Sequence, residues 1–403
     1  MRCTRAIAAS WRCNNTALTM RDVFILGSGQ TAVGEHWDLS LRQLARTAVS
    51  AALNAALPAR PQALFVANML AGQLSGQRQL GALLADYCGL RGIEAIRVEA
   101  AGASGGAALR QAYIAVASGV VDTALVLGVE KLTDKVGSSV AAALGSAADA
   151  DWEAAHGATQ PALAALIMQR YMHEQHLSLQ QFAGFSVNAH SNGRTNPNAM
   201  FRNNLKAESF ASAAMVAEPV NMFDTAPEAD GAAALVLGAA HMLAPAAARI
   251  RVAASALCTD AFALADRADV LQLRAAQQSV QQAQAQASCG AADIDLFELH
   301  DGFTILAALA LEAAGYAQPG SGWQLAHAGK IGLQGEIPIS TFGGLKARGN
   351  PGGATGVYQA VEVEQQLRGA AGANQVQRAR RGMLQGLGGN GATAVTHIFE
   401  CLN

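Results

Sequence analysis

The chain has 403 residues, 51% of them hydrophobic and 14% charged, with a formal net charge of −2. That length supports a large core in one or two domains, and the near-neutral charge gives no electrostatic footprint for a nucleic acid. No apolar run is long enough to span a bilayer, and low charge with abundant Ala and Gly indicates closely packed helices rather than disorder.

Cys3, Cys13, Cys88, Cys258, Cys289 and Cys401 are scattered and form no CxxC pair. This fits a reduced, cytoplasmic compartment and gives neither a zinc site nor a disulfide framework. Residues 1–19 stand apart, with Arg2, Arg5 and Arg12 and no acid before Asp22. They read as an organelle transit segment or as a start placed too early, with Met20 the true start. The second reading is preferred because the segment is short and weakly amphipathic.

From Met20 the pattern is regular. Val23 to Gly27 reads as a buried strand, Leu39 to Leu57 as an amphipathic helix, Ala63 to Asn68 as a second strand and Gln77 to Tyr87 as a second helix. Ile96 to Ala100 is a third strand. It ends at the turn Ala101-Gly102-Ala103-Ser104-Gly105-Gly106, which opens a small-residue helix to about Ser118. Strand, sharp turn and buried helix is the geometry that presents a nucleophile at a helix N-terminus, but Gly102 has no side chain to present. Thr123 to Gly128 is the fourth strand. Alternating strands and helices predict an α/β fold with a mostly parallel sheet covered on both faces.

Residues 132–219 break this rhythm with Met, His, Asn and Arg, and read as a helical insertion or lid. Core strand returns at Asp230 to Leu237, closing a first half over 20–131 and 220–248. A second half over 249–403 then restarts the alternation: strand Ile250 to Leu257, helix Val270 to Gln286, and strand Ile294 to Leu299 ending in His300-Asp301-Gly302-Phe303. A second Gly-rich turn, Gly343 to Gly356, opens a helix to about Leu367, and Met383 to Leu387 and Ala394 to Phe399 close the chain. Ala103-Ser104-Gly105-Gly106-Ala107 and Asn350-Pro351-Gly352-Gly353-Ala354 match in type and placement. The chain thus reads as a duplication of βα halves with its centre where the two turns meet.

Four segments carry a family resemblance: Gly128-Val129-Glu130-Lys131-Leu132-Thr133-Asp134, Asp230-Gly231-Ala232-Ala233, Phe297-Glu298-Leu299-His300-Asp301, and Gly344-Leu345-Lys346-Ala347-Arg348-Gly349. From about Met20 to the C-terminus the chain resembles the thiolase superfamily, in particular the sterol-carrier-protein-x type and its archaeal relatives. The resemblance implies a five-layered α/β/α/β/α sandwich, a homodimer, and acyl-CoA as the ligand class. It implies no cofactor beyond a CoA thioester as substrate.

The resemblance also implies a nucleophilic Cys where this chain has Gly102, and a His where it has Asn350. It implies for many members a second Cys in the loop that here reads Gln385-Gly386-Leu387-Gly388-Gly389-Asn390-Gly391. The sterol-carrier type often has a Cys where Gly302 stands, while His300 is kept. Thiolysis and Claisen condensation in that family pass through a thiolate-bound acyl group activated by the His of the second turn. Deleting a nucleophile from a concerted unit lowers rates on the order of 10⁶-fold, so Cys-dependent thiolysis is not expected. Ser104 reads as a helix N-cap and Cys88 as a small core residue, while Cys258 and Cys289 lie in the second half, away from either turn in sequence.

What survives is polarising machinery. Asn350 and His300 can donate to a carbonyl oxygen, and by resemblance the Gly388 and Gly389 amides complete an oxyanion hole for an enolate. Each has a plainer alternative: Asn350 as a turn residue, His300 as a satisfied interior His. Tyr358 is a weaker acid/base candidate, more often a packing residue. Arg194, Arg202 and Lys206 are candidates for CoA phosphates, set against ordinary solvated charge.

Three functions compete. One is carbon–carbon cleavage or formation on an acyl-CoA without a Cys acyl-enzyme, specifically retro-aldol cleavage of a β-hydroxyacyl-CoA. The resemblance to steroid side-chain aldolases implies a small OB-fold/zinc-ribbon partner for it. Another is a non-catalytic subunit supporting a Cys-bearing paralogue. The third is an acetyl-CoA acyltransferase using another nucleophile.

Overall fold

The computed structural model describes residues 20–245 and 248–402; the extension read at residues 1–19 lies outside them, as do Cys3 and Cys13. The chain begins with β1 (Val23–Gln30), α1 (Leu41–Ala55), β2 (Ala63–Ala67), α2 (Ala71–Leu74), α3 (Leu80–Tyr87), β3 (Glu94–Val98), α4 (Ser104–Ala117) and β4 (Thr123–Glu130). Ser40 caps α1: its hydroxyl accepts from the Gln43 amide and the Gln43 side chain accepts from the Ser40 amide. β3 ends two residues before the position read from sequence, because the Ser104 hydroxyl captures the Ala100 amide at 2.8 Å and Ala101 turns left-handed at φ 49°.

The middle holds α5 (Gly137–Gly145), α6 (Gln160–Gln175), α7 (Ala183–Gly193), α8 (Ala207–Ala211) and a hairpin of β5 (Met215–Ala217) and β6 (Val220–Asn221). There follow β7 (Gly231–Ala239), β8 (Arg249–Thr259), α9 (Arg274–Ala287), β9 (Leu296–Glu298), α10 (Thr304–Ala313), α11 (Gly322–His327), α12 (Thr355–Leu367), β10 (Arg381–Gly388) and β11 (Thr393–Leu402). No helix among the described residues is long and apolar enough to cross a membrane.

The strands run in the order β3-β2-β4-β7-β1-β8-β11-β10-β9. Five strands come from the first part of the chain and four from the second, joined by the single pairing Phe24–Arg251. The expectation of a mostly parallel sheet is corrected. Only β2–β3, β2–β4 and β9–β10 are parallel; β1–β7, β4–β7, β1–β8, β8–β11 and β10–β11 are antiparallel. The cause is where the chain leaves and returns. β4 ends at Glu130 and β7 begins beside it at Gly231, so the long excursion between them starts and finishes at the same end of the strands. A crossover to the opposite end is what parallel pairing requires.

Alternation along the strands sets the layers. Leu64, Val66, Leu125 and Leu127 face α1 and α3 on one side, while Phe65, Ala67, Ala124 and Val126 face α4 and α12 on the other. The second group of strands also packs against α4 and α12 and is covered outside by α9, with α10 beside it. The result is the five-layered α/β/α/β/α sandwich.

The middle layer explains the small-residue helix. α4 and α12 meet at glycine: a Cβ on Gly105 would stand 2.7 Å from the Gly356 Cα, and a Cβ on Gly356 would stand 2.6 Å from the Gly106 amide nitrogen. Only bare backbone permits this approach, and it brings together the two turns that precede the helices. Gly356→Ala is therefore expected to cost about 1–3 kcal/mol through overpacking against main chain. Gly145→Ala, where an added Cβ meets nothing within 4 Å, should stay within about 0.5 kcal/mol. Denaturant unfolding of the two variants measures the contrast.

Candidate active site

The first turn is held from inside. Ser104 donates its hydroxyl proton to the Ala101 carbonyl at 2.6 Å and accepts from the Ala100 amide at 2.8 Å. It is the first residue of α4 rather than its N-cap, which is Ala103, so the capping role read from sequence is corrected. Both hydroxyl contacts go to the turn, and none is left for chemistry.

The second turn runs through Gly349 (φ +107°), Asn350, Pro351 and Gly352 (φ +46°). The buried Glu130 carboxylate braces it, accepting from Gly353 N at 3.1 Å, Met69 N at 2.8 Å, Leu70 N at 3.1 Å and Asn68 Nδ2 at 2.7 Å. Burial pushes the Glu130 pKa up to about 7 against the pull of those donors. The Asn350 backbone is tied to residues 227 and 229, donating to the Pro227 carbonyl at 3.0 Å and accepting from the Ala229 amide at 3.2 Å. Its side-chain oxygen accepts from the Thr355 hydroxyl at 2.9 Å, which leaves the amide NH₂ group as the donor toward open space.

Between the turns lies a cavity of about 290 Å³. Gly102, His300, Gly302, Asn350, Gly352 and Gly389 all line it, beside an apolar wall that includes Met69, Leu144, Phe303 and Leu306. His300 follows β9 and is 8% exposed; its Nδ1 has no hydrogen-bond partner. Burial, and next the Arg348 charge, push its pKa down to about 4, so at neutral pH the ring is uncharged. The adjacent Asp301 carboxylate fixes the strand end, accepting from the Leu345 amide at 2.8 Å and the Ser340 hydroxyl at 3.0 Å.

The space at Gly102 is closed. A Cβ there would stand 2.6 Å from the Leu387 carbonyl oxygen and 3.4 Å from His300 Nε2. Gly302 differs: its added Cβ would meet His300 Nε2 at 3.3 Å and no backbone atom. The imidazole thus sits between two positions without side chains, and at one of them a main-chain carbonyl stands too close for a Cβ.

The other candidates separate from this group. Gly388 is buried but does not line the cavity, whereas Gly389 does. Tyr358 is buried outside the cavity, its hydroxyl against Thr31 Oγ1 at 3.0 Å and its ring 5.3 Å from the Arg348 guanidinium carbon. This packing, with burial driving the phenol pKa well above its ordinary value, removes it from the acid/base candidates. Arg194, Arg202 and Lys206 are exposed and do not line the cavity. Of the described cysteines, Cys88, Cys258, Cys289 and Cys401, none lines it either. Burial raises the Cys88 pKa to about 11, which makes it a poor thiolate.

Sequence reading missed the segment Asp224–Ala229, which leads into the Asp230 motif. It threads between the turns, with the Ala226 amide on the Gly302 carbonyl at 2.9 Å and the Thr304 amide on the Asp224 carbonyl at 3.2 Å. Its end is fixed by the buried Asp230 carboxylate, which takes Lys131 Nζ at 2.7 Å, Leu132 N at 2.7 Å and Thr133 N at 2.9 Å. Thr225, Ala226 and Glu228 of this segment line the cavity.

Comparison with known proteins agrees with the fold. The thiolase N-terminal domain profile matches residues 23–241 and the thiolase C-terminal domain-like profile matches residues 256–401. The chain belongs to the thiolase family. It is 42% identical over 384 residues to an acetyl-CoA acetyltransferase of Methanothermobacter thermautotrophicus, covering 94% of this chain and 100% of that protein. It is 30% identical over 378 residues to the benzoylsuccinyl-CoA thiolase subunit BbsB of Thauera aromatica, covering 93% and 96%. Among solved structures, the Ltp2–ChsH2(DUF35) aldolase superposes with a TM-score of 0.80 at 22% identity, covering 94% of this chain and 98% of that one.

Two histidines give a test of the electrostatics. His300 and His397, the latter donating Nε2–H to the Gly106 carbonyl at 2.9 Å, both have pKa values pushed down to about 4 by burial. An unfolded His takes its proton near 6.5. Each therefore contributes stability that is present above about pH 6.5 and is lost as pH falls toward 4. Ring-nitrogen NMR should place the His300 midpoint near 4. His397→Gln should flatten the acid limb of stability by one proton, about 1.4 kcal/mol per pH unit. A His300 midpoint at an unperturbed value would contradict the buried geometry.

Proposed function

We propose that this protein acts on acyl-CoA thioesters and breaks or makes a carbon–carbon bond beside the thioester without an acyl-enzyme. The concrete reaction is retro-aldol cleavage of a β-hydroxyacyl-CoA. The observation that carries this reading is the Leu387 carbonyl 2.6 Å from the point where a Gly102 Cβ would stand, with His300 and Asn350 still facing the same cavity. A nucleophile has no place there, while donors for a developing enolate oxygen do.

The chemistry follows from those donors. Cleavage between Cα and Cβ sends an electron pair onto the thioester oxygen. Neutral His300 can donate Nε2–H, and Asn350 an amide proton, to that oxygen in a partly dry pocket; the Gly389 amide is a third donor. The apolar wall of Met69, Leu144, Phe303 and Leu306 would seat the departing carbonyl fragment. The acyl-CoA substrate class is supported by the names of the relatives. A small OB-fold/zinc-ribbon partner is supported by the aldolase–DUF35 assembly of the structural neighbour. A homodimer is supported by β3, an edge strand with Ile96 45% exposed.

The names of the relatives favour a second reading, acetyl-CoA acyltransferase, and the two part experimentally. A panel of β-hydroxyacyl-CoAs, assayed with and without the candidate partner, should give a shortened acyl-CoA plus an aldehyde or ketone. Asn350→Ala should lower that rate about 10²–10³-fold. Gly102→Cys should give no brisk thiolysis, since the Leu387 carbonyl must move and Asn350 supplies no base. Rapid CoA-dependent thiolysis by wild type would favour acyl transfer and sink the lyase reading, and brisk thiolysis by that single variant would sink the account of Asn350.

A further inference from the structure

Retro-aldol cleavage needs a group that accepts the hydroxyl proton, and the cavity offers few. Among the described residues only His300 and Glu228 line it with ionisable side chains. His300 is uncharged and serves as a donor in the reading above. The buried carboxylates nearby are occupied or lie outside the cavity. Glu130 braces the second turn, Glu298 accepts from the amide and hydroxyl of Thr341, and Glu362 pairs with Arg348 at 2.7 Å.

Glu228 stands differently. Its backbone bridges Asn350, and the residues on either side are clamped by the Asn350–Pro227 and Ala229–Asn350 hydrogen bonds at 3.0 and 3.2 Å. The side chain is exposed to solvent at the cavity wall. Loss of hydration raises its pKa, and no neighbouring charge or hydrogen bond acts against that. A carboxylate with unspent acceptors on a fixed backbone beside an enolate donor is a preorganised proton acceptor.

We propose that Glu228 is the catalytic base that takes the β-hydroxyl proton of the substrate; this rests on the lyase reading. The O–H bond breaks toward the Glu228 carboxylate, and its electron pair becomes the second bond of the new carbonyl. The Cα–Cβ pair moves into the thioester enolate, held by His300 and Asn350. The protonated Glu228 then returns the proton to Cα as the enolate collapses. Atoms and charge balance with no co-reactant, and the products are a carbonyl compound and the shortened acyl-CoA.

The ionisable groups on the elements that hold Glu228 are His300, which lines the same cavity, the Lys131–Asp230 and Lys131–Asp134 pairs at the end of its segment, Asp224 at its start with Lys346 on the Asp224 carbonyl, the Arg348–Glu362 pair just before Asn350, and Glu130 behind the second turn. His300 is neutral above about 4, while Glu130 is pushed up to about 7, so the acid limb is assigned to Glu228 by its loss in Glu228→Gln. Activity should rise with pH through a midpoint above the ordinary Glu range.

The test compares wild type, Glu228→Gln and Glu228→Asp by cleavage rate against pH and by calorimetric binding of a non-cleavable acyl-CoA. The expected result is a fall in kcat of about 10²–10⁴-fold in Glu228→Gln with the acid limb gone, binding within about threefold, and partial activity in Glu228→Asp. Wild-type cleavage that persists within about threefold in Glu228→Gln would overturn the base assignment and leave the lyase reading standing. Absence of cleavage by wild type across the panel would overturn both.

Discussion

The contact between Gly105–Gly106 and Gly356 is the constraint from which the rest of the structure follows. Two helices, one from each half, cross with their backbones touching. Each begins at a Gly-rich turn, so the crossing fixes where the two turns meet. It also forces the middle layer to be built of small residues, because sheets lie on both sides of it. The abundance of Ala and Gly in the composition is the cost of placing helices between two sheets.

Around this crossing, charge is buried only where it is paired or neutralised. Asp230 takes Lys131 and three backbone amides, Glu130 takes three amides and a side-chain amide, and Arg348 takes Glu362. Burial pushes Glu298 up to about 8 and Lys346 down to about 8, toward their uncharged forms. This polar shell holds the turns rather than facing the cavity. The face left open to a ligand carries His300, Asn350 and Glu228, which do not spend their reactive atoms on one another.

Much of the fold was legible because its signals are local. The runs Val23 to Gly27, Ala124 to Gly128 and Gly231 to Leu237 are continuously apolar and lie in strands. Strand direction was not legible, because nothing local in Gly231–Ala239 records that the chain returns at the end of the sheet from which it left. α10 was not anticipated either: Thr304 to Leu311 are all buried, so no polar stripe marks a helix period. The meeting of Gly102, His300, Asn350 and Gly389 could be read from the paired turns and the family resemblance. Tyr358 could not be placed, since a phenol on a buried helix looks the same in sequence whether it faces a cavity or Thr31. Glu228 went unnoticed because one acid between Pro227 and Ala229 has the signature of an ordinary loop, and only the bridge to Asn350 puts it beside the site.

The central claim is that no side chain of this protein carries an acyl group. Intact-protein mass after incubation with a panel of acyl-CoAs tests it most directly, with thioester binding shown on the same sample. The account predicts the unmodified mass throughout. A stable acyl adduct that peptide mapping places on one residue would contradict it and return acyl transfer to the centre of the mechanism.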